Sequence, residues 1–432
     1  MKFNKWTVGL AAVGVVSLAS AARADEQMSQ VQTALSQTTL SGYVDTAMQW
    51  NPNTDQGVVA PYPGNTPPYA FRQNDGFQFN AVDIALDKPE DSSQWAAGYH
   101  VEMMYGADAV GVPLTTATTV PALPGLTVNN RTTGFDVRQA FIRLHTPVAG
   151  NGIDWQIGVF DSIIGYESNS DPLDPNYTRS YAYTIEPTTF TGILGTYKVS
   201  DNLSISAGIA NQEFVNSFTP VNNFESQKAY LGSISLTAPD SLGFFKGATL
   251  SAGVVHNDNS KDVTVTIPPS AGTAAIQASP GPTTSLYAGV TLPTPVTQLK
   301  VGGSFDYLFE DEVASGVASS GADIWDIAGY ATFQATDKLS LNLRAEYLDD
   351  HSAFSGVVGP NTYYTPVVLY SGNNADEITA TVQYNLWANV ITRGEFRWDH
   401  VEHGNSYGYS KGTGAPDRSN DFLLALNIIY QF

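Results

Sequence analysis

The 432-residue chain contains no cysteine, which removes disulfide scaffolds, cysteine-ligated zinc and thiol chemistry together. Charge is scarce as well. Asp, Glu, Lys and Arg supply 14% of the residues, where globular domains use about 25%. Basic residues are the scarcest, 20 Lys+Arg against 41 Asp+Glu, for a formal net charge of −21. That excludes nucleic acid as a partner, because phosphate binding needs a basic patch. Outside the N-terminal leader no apolar run reaches the ~18 residues of a membrane helix. What is present is 38 Gly, 22 Tyr, 20 Phe and 7 Trp. Rich in glycine and rings, poor in charge and without apolar helices, the chain fits one membrane class, the outer-membrane β-barrel.

The first 24 residues read as an address. Lys2 and Lys5 form a positive region, Trp6 to Leu18 an apolar one, and Ala22-Arg23-Ala24 a small-x-small cleavage site. Cleavage is expected after Ala24, and no cysteine follows to carry a lipid. Without Lys2, Lys5 and Arg23 the mature chain holds 17 basic and 41 acidic residues, a net charge of about −24. Residues 25–38 read as a short periplasmic segment, and residues 39–432 as the barrel domain.

From residue 39 onward, segments of about ten residues alternate apolar and polar positions, the mark of strands with two unlike faces. In the last one, Phe422, Leu424, Leu426, Ile428 and Tyr430 oppose Leu423, Ala425, Asn427, Ile429 and Gln431. Leu339, Leu341 and Leu343 likewise oppose Ser340, Asn342 and Arg344. Seven short connections alternate with eight longer ones, among them 51–76, 106–133, 162–188 and 311–321. This predicts a transmembrane antiparallel up-and-down barrel of 16 strands rather than 14 or 18, with short periplasmic turns and long extracellular loops. A soluble β-sandwich would alternate too, but would show many charges outside. Trp50, Tyr105, Phe309, Tyr347 and Trp398 fall near the long-loop ends of strands, and Tyr197, Tyr384, Trp387, Tyr430 and Phe432 near the short-turn ends. These are two girdles for the two lipid interfaces.

Several phrases then accumulate: Leu40-Ser-Gly-Tyr-Val-Asp45, Trp95-Ala-Ala-Gly-Tyr99, Asp154-Trp-Gln-Ile-Gly158, Ile163-Ile-Gly-Tyr-Glu167, Asn176-Tyr-Thr-Arg-Ser-Tyr181 and Thr184-Ile-Glu-Pro-Thr-Thr189. Together they resemble the OmpL-like β-barrel porin family of Gram-negative bacteria, over most of the chain and most specifically in 154–189. The resemblance implies a pore-forming outer-membrane barrel and brings no catalytic residues. Phe432, preceded by alternating apolar positions, also resembles the C-terminal signal read by barrel-assembly machinery.

With apolar faces in lipid, the opposite faces line a channel for small hydrophilic solutes and ions. They carry Asp45, Asp83, Glu102, Arg138, Arg143, Asp154, Lys300, Asp306, Arg344, Glu346, Arg393, Glu395, Arg397 and Asp399. The third long connection, 162–188, holds Glu167, Asp171, Asp174 and Glu186 against Arg179 alone. By analogy with general porins it folds inward and faces Arg344, Arg393 and Arg397, giving a transverse field and a mild cation preference. A solvated external cap is the alternative for this loop.

Catalysis, cofactors and resident metals are not expected. No G-x-S-x-G, H-E-x-x-H or P-loop pattern occurs. His400-Val-Glu-His403 could hold a metal, but i and i+3 on a strand point to opposite faces, so a surface pair is the plainer reading. The competing functions are a substrate-selective transporter and a structural or adhesin barrel without an open pore. A hatch-plugged transporter needs tens of residues before the first strand, where only 25–38 are available. Sixteen-stranded diffusion porins are commonly trimers, so a homotrimer follows by analogy, although the sequence does not choose between monomer and trimer.

Overall fold

A computed structural model describes residues 38–432 apart from 53–74, 92–93, 110–115, 120–126, 131–133, 149, 212–225, 259–264, 268–275, 279–281, 316–317, 352, 356–373 and 408–416. The expected leader and nearly all of the 25–38 segment lie outside the described residues. One antiparallel sheet, extended by a short strand at Ala353–Ser355 that pairs with Ser319–Gly321, closes into a barrel of sixteen strands. They are β1 (Thr39–Trp50), β2 (Gly76–Lys88), β3 (Ala96–Tyr105), β4 (Phe135–Thr146), β5 (Ile153–Asp161), β6 (Thr189–Lys198), β7 (Leu203–Ala210) and β8 (Ala229–Thr237). The second half comprises β9 (Thr249–Asn257), β10 (Thr283–Pro293), β11 (Leu299–Ser315), β12 (Ala318–Gln334), β13 (Leu339–Asp350), β14 (Asn374–Trp387), β15 (Val390–Val401) and β16 (Asn420–Gln431). Closure comes from β1 against β16, in register from Tyr43↔Gln431 to Trp50↔Leu424. The seam is finished by Gly42 and Phe432, whose backbone N–H groups each donate to the other's carbonyl at 3.1 and 3.0 Å. A side chain at Gly42 would strike the Asp83 carbonyl and the Phe432 ring, so the seam requires glycine there.

Period-2 alternation decides the two faces. Leu341, Leu343, Ile378, Val382, Leu424 and Leu426 point out and are exposed, whereas Asn342, Arg344, Thr379, Thr381 and Asn427 point in and are buried. Closure satisfies every edge, which a sheet in hydrocarbon must achieve. Exposed rings mark both ends of the wall, Trp50 and Tyr105 beside long loops, Trp387 and Tyr430 beside short turns. Among the described residues no helix is long and apolar enough to cross a membrane.

One connection departs from expectation. The 311–321 segment is not a loop; β11 and β12 run 17 residues each and pair out to Ser315↔Ala318. A bulge between Glu310 and Val313 lets the ladder resume beyond the membrane wall, so the long connection is a projecting hairpin. Connection length in sequence cannot distinguish a loop from strands that simply continue.

Candidate functional site

The 162–188 connection between β5 and β6 lies inside the barrel. It first holds itself together. The Ser168 N–H donates to the Asp174 carboxylate at 2.8 Å, and the Ser180 N–H donates to Glu167 at 2.9 Å. Arg179 bonds Asp171 at 2.8 Å and also pairs with Asp174. A 3₁₀ turn, Asp171–Leu173, begins with Pro172 near its start, and the short helix α1 (Tyr181–Ile185) is capped by Ser180, whose hydroxyl accepts from the Tyr183 N–H at 3.0 Å. Burial alone would lower the Arg179 pKa, but Asp174 and then Asp171 outweigh it and hold the guanidinium well above its ordinary value.

The loop then meets the opposite wall in direct contact. Arg344 on β13 donates to Glu167 Oε1 at 2.8 Å, to the Thr178 and Arg179 carbonyls at 2.7 and 3.0 Å, and to Glu377 on β14 at 3.2 Å. Arg393 on β15 donates to the Asp171 and Asp174 carbonyls at 3.0 and 2.5 Å. Arg397 donates to the Arg179 carbonyl at 2.6 Å, pairs with Asp399 and lies over the Tyr181 ring. Between these cations, Glu395 accepts the Tyr177 and Thr178 N–H groups at 2.6 and 2.9 Å, and Glu346 accepts the Tyr181 N–H at 2.8 Å. Charge-assisted bonds of this kind are about twice as strong as neutral ones. Arg344 and Arg397 are 0% exposed as a result.

Apolar contacts fix the two ends. Ile163 and Ile164 enter a cluster with Phe141, Phe160, Phe190 and Leu231, while Tyr181 and Ile185 pack on Leu308, Ile324 and Leu348. Each such burial contributes about 1.5–3 kcal/mol. Inward glycines make the room. Ile164 occupies the space a side chain at Gly253 would need, and Tyr166 the space at Gly302, from where its hydroxyl reaches Thr291 at 3.1 Å. At its exit, Glu186 is buried; burial, with Glu167 and Asp174 adding, pushes its pKa up to about 7. Burial likewise raises Asp174 to about 7, partly offset by Arg179.

Of the residues singled out in sequence, Glu167, Asp171, Asp174, Arg179, Glu186, Arg344, Arg393 and Arg397 are thus brought together. Arg138 and Arg143 stand apart, in a second array on β2–β5. Arg138 is the extra residue of a bulge in β4, which turns both it and Gln139 inward. It lies 3.1 Å from Asp161 and 3.7 Å from Glu102. Glu102 continues to His100 at 3.3 Å, His100 to Asp87 at 2.9 Å, and Asp87 to Arg143 at 2.6 Å. This descending ladder of alternating charge keeps contact with solvent, with Asp161 and Asp87 side chains 36% and 30% exposed.

Sixteen strands, a closed seam and an infolded third loop form a porin architecture, and the comparisons agree. The family described as beta-barrel porin-2, OmpL-like, matches residues 37–432. The chain belongs to that family. Solved structures of the same fold include the outer-membrane channel DcaP of Acinetobacter baumannii, at 11% identity and TM-score 0.54, covering 94% of this chain and 100% of that one. An anion-selective porin from Comamonas acidovorans gives 12% identity and TM-score 0.54, covering 91% and 99%. The trimer form of Vibrio cholerae OmpT gives 12% identity and TM-score 0.53, covering 91% and 99%. No curated protein matches the sequence.

Within this porin Glu395 was already placed on an inward face, whereas the anchoring roles of Tyr166, Tyr181, Glu377 and Asn176, whose amide donates to the Thr381 hydroxyl at 2.7 Å, were not singled out from sequence. Bonds to loop carbonyls leave no residue signature, so Arg344 and Arg393 reveal their targets only in three dimensions. Glycine at inward positions 253 and 302 was a readable signal, since a strand interior gains nothing from glycine unless something approaches closely.

Proposed function

We propose that the protein is a diffusion porin of the outer membrane, passing small hydrophilic solutes and ions with a mild preference for cations, and that residues 1–24 are removed on export. The observation that carries the reading is the infolded 162–188 loop, bonded to Arg344, Arg393 and Arg397 on β13–β15, while Asp161 and Asp87 of the β2–β5 array keep contact with solvent. Inward carboxylates outnumber inward cations; Asp45, Asp83, Glu102, Asp306, Asp326 and Asp421 all face the lumen. Fixed negative charge beside a narrow passage raises the local cation concentration. In this reading Glu167, Asp171, Asp174, Arg179 and Glu186 border the constriction, with Arg344, Arg393 and Arg397 fastening it and Arg138 and Arg143 facing it. A homotrimer, insertion by way of Phe432, and the absence of any enzymatic role belong to the same reading.

Planar-bilayer recording of the refolded protein in a salt gradient is the test. Open-channel conductance with a reversal potential of cation-preferring sign is the expected result, and neutralising Glu167, Asp171 and Asp174 together shifts it toward anions at low salt. Screening shrinks the preference at 1 M salt, where the Debye length is about 3 Å. An electrically silent, correctly folded barrel would return the protein to the transporter or adhesin readings. An unchanged potential in the triple variant would detach the loop from the ion path.

A further inference from the structure

We propose that Glu90, His145 and Asp154 form a binding site for a first-row transition-metal dication, with Zn²⁺ as its natural probe, at the periplasmic mouth of the barrel. The three residues come from three places that the sheet register brings together: the β2–β3 turn, the end of β4 and the start of β5. His145 and Asp154 are direct cross-strand partners, and His145 Nδ1 lies 2.6 Å from Asp154 Oδ1. One donor atom from each residue lies within 4.8 Å of the other two. A single ion needs its ligands about 2.0–2.2 Å away, so donors this close converge on one with small side-chain rotations.

The site is held rather than incidental. All three residues are half-buried. The His145 ring lies against Gly152, in the volume a Cβ there would occupy, and Gly152 has φ +82°, a conformation that glycine adopts freely. Glycine there leaves room for the imidazole, whose Nδ1 faces Asp154. The donor set sets the metal class: one imidazole with two carboxylates favours Zn²⁺, Ni²⁺ or Cu²⁺ over the all-oxygen ions Mg²⁺ and Ca²⁺. Three protein ligands leave a position for water, as in an open rather than a closed site. The nearby cations Arg143 and Lys198, which both act on Glu90, temper the affinity. A bound dication adds positive charge to that mouth and reduces cation passage.

Calorimetric titration of the refolded protein in detergent with ZnCl₂ tests the site without reference to conductance. One Zn²⁺ per protomer is expected, with no comparable signal from MgCl₂. His145→Asn and Asp154→Asn should abolish it, while His403→Ala should leave it intact. Retained open-channel conductance without zinc shows that the variants are folded. In bilayers, Zn²⁺ on the periplasmic side should shift the reversal potential toward anions in the native protein and not in His145→Asn. No zinc binding by the native protein, binding that survives His145→Asn, or binding lost only in His403→Ala would each overturn the assignment.

Discussion

Arg344 shows how much one side chain can organise. Its guanidinium is fully buried and touches Glu167, Glu377 and two loop carbonyls at once. Removing one member of a buried ionic set costs about 3–5 kcal/mol, because the partners stay buried without compensation. Arg344→Ala should therefore lower thermal stability in detergent by that order, and single-channel traces should become noisier as the loop loosens. Lysine cannot replace the fork, since one ammonium does not reach carboxylate and carbonyls on two sides. Arg344→Lys should recover only part of the loss; full recovery would mean that bulk charge, not the bond geometry, holds the loop. From sequence this arginine was placed correctly on an inward face, but what it touches was not legible.

At the scale of the element, the 162–188 loop behaves as a small folded unit clamped inside a larger one. Its carboxylates are in excess of its cations, and burial, with Glu167 and Asp174 adding, raises Glu186. A carboxyl whose folded pKa rises from the ordinary 4.5 to about 7 favours the docked loop in its neutral form. That contribution is complete below about pH 4.5 and fades as pH climbs through about 7. Open-channel fluctuations should thus grow from pH 5.5 to pH 8.5, and Glu186→Gln, with a permanently neutral amide, should flatten the profile. A profile unchanged by this substitution would assign the pH response elsewhere. The loop's boundaries and acidity could be read directly, because prolines, glycine and carboxylates interrupt the period-2 pattern. Its seat could not, because the contacts run to residues such as Glu395 and Arg393 more than 200 positions away.

For the whole molecule, the wall was the most legible part. Alternation in single strands, the Leu341–Leu343 and Leu424–Leu426 pairs above all, determines which face meets lipid, and register does the rest. Adjacent positions on β8 offer a sharp check. Ile234 faces lipid with 46% exposure, and Ser235 faces inward with its hydroxyl 3.3 Å from that of Ser251. Ile234→Arg should cost about 2–4 kcal/mol in unfolding from lipid, and Ser235→Arg far less. Equal penalties would reverse the assigned faces. Asn342 would make a poor inward control, since its amide donates to the Pro175 carbonyl and an arginine there would collide with the loop. The projecting β11–β12 hairpin marks the limit of such reading, because strand pattern does not announce where the membrane ends.

The origin of the loop's partners also dictates an order of events. The segment leaves β5 when less than half of the chain has been made, yet Arg344, Arg393, Glu395 and Arg397 arrive only with β13–β15. Bonds spanning 165 to 222 residues are among the slowest to form, since loop-closure entropy must be overcome before they contribute. The β1–β16 seam must also wait for the last twelve residues. The seam joins positions still further apart, Tyr43 to Gln431, so by the same measure the loop's bonds and the seam both belong to the last stage of folding. A chain halted before that stage would have neither a closed wall nor a seated loop, so the arrival of the last strand governs both at once.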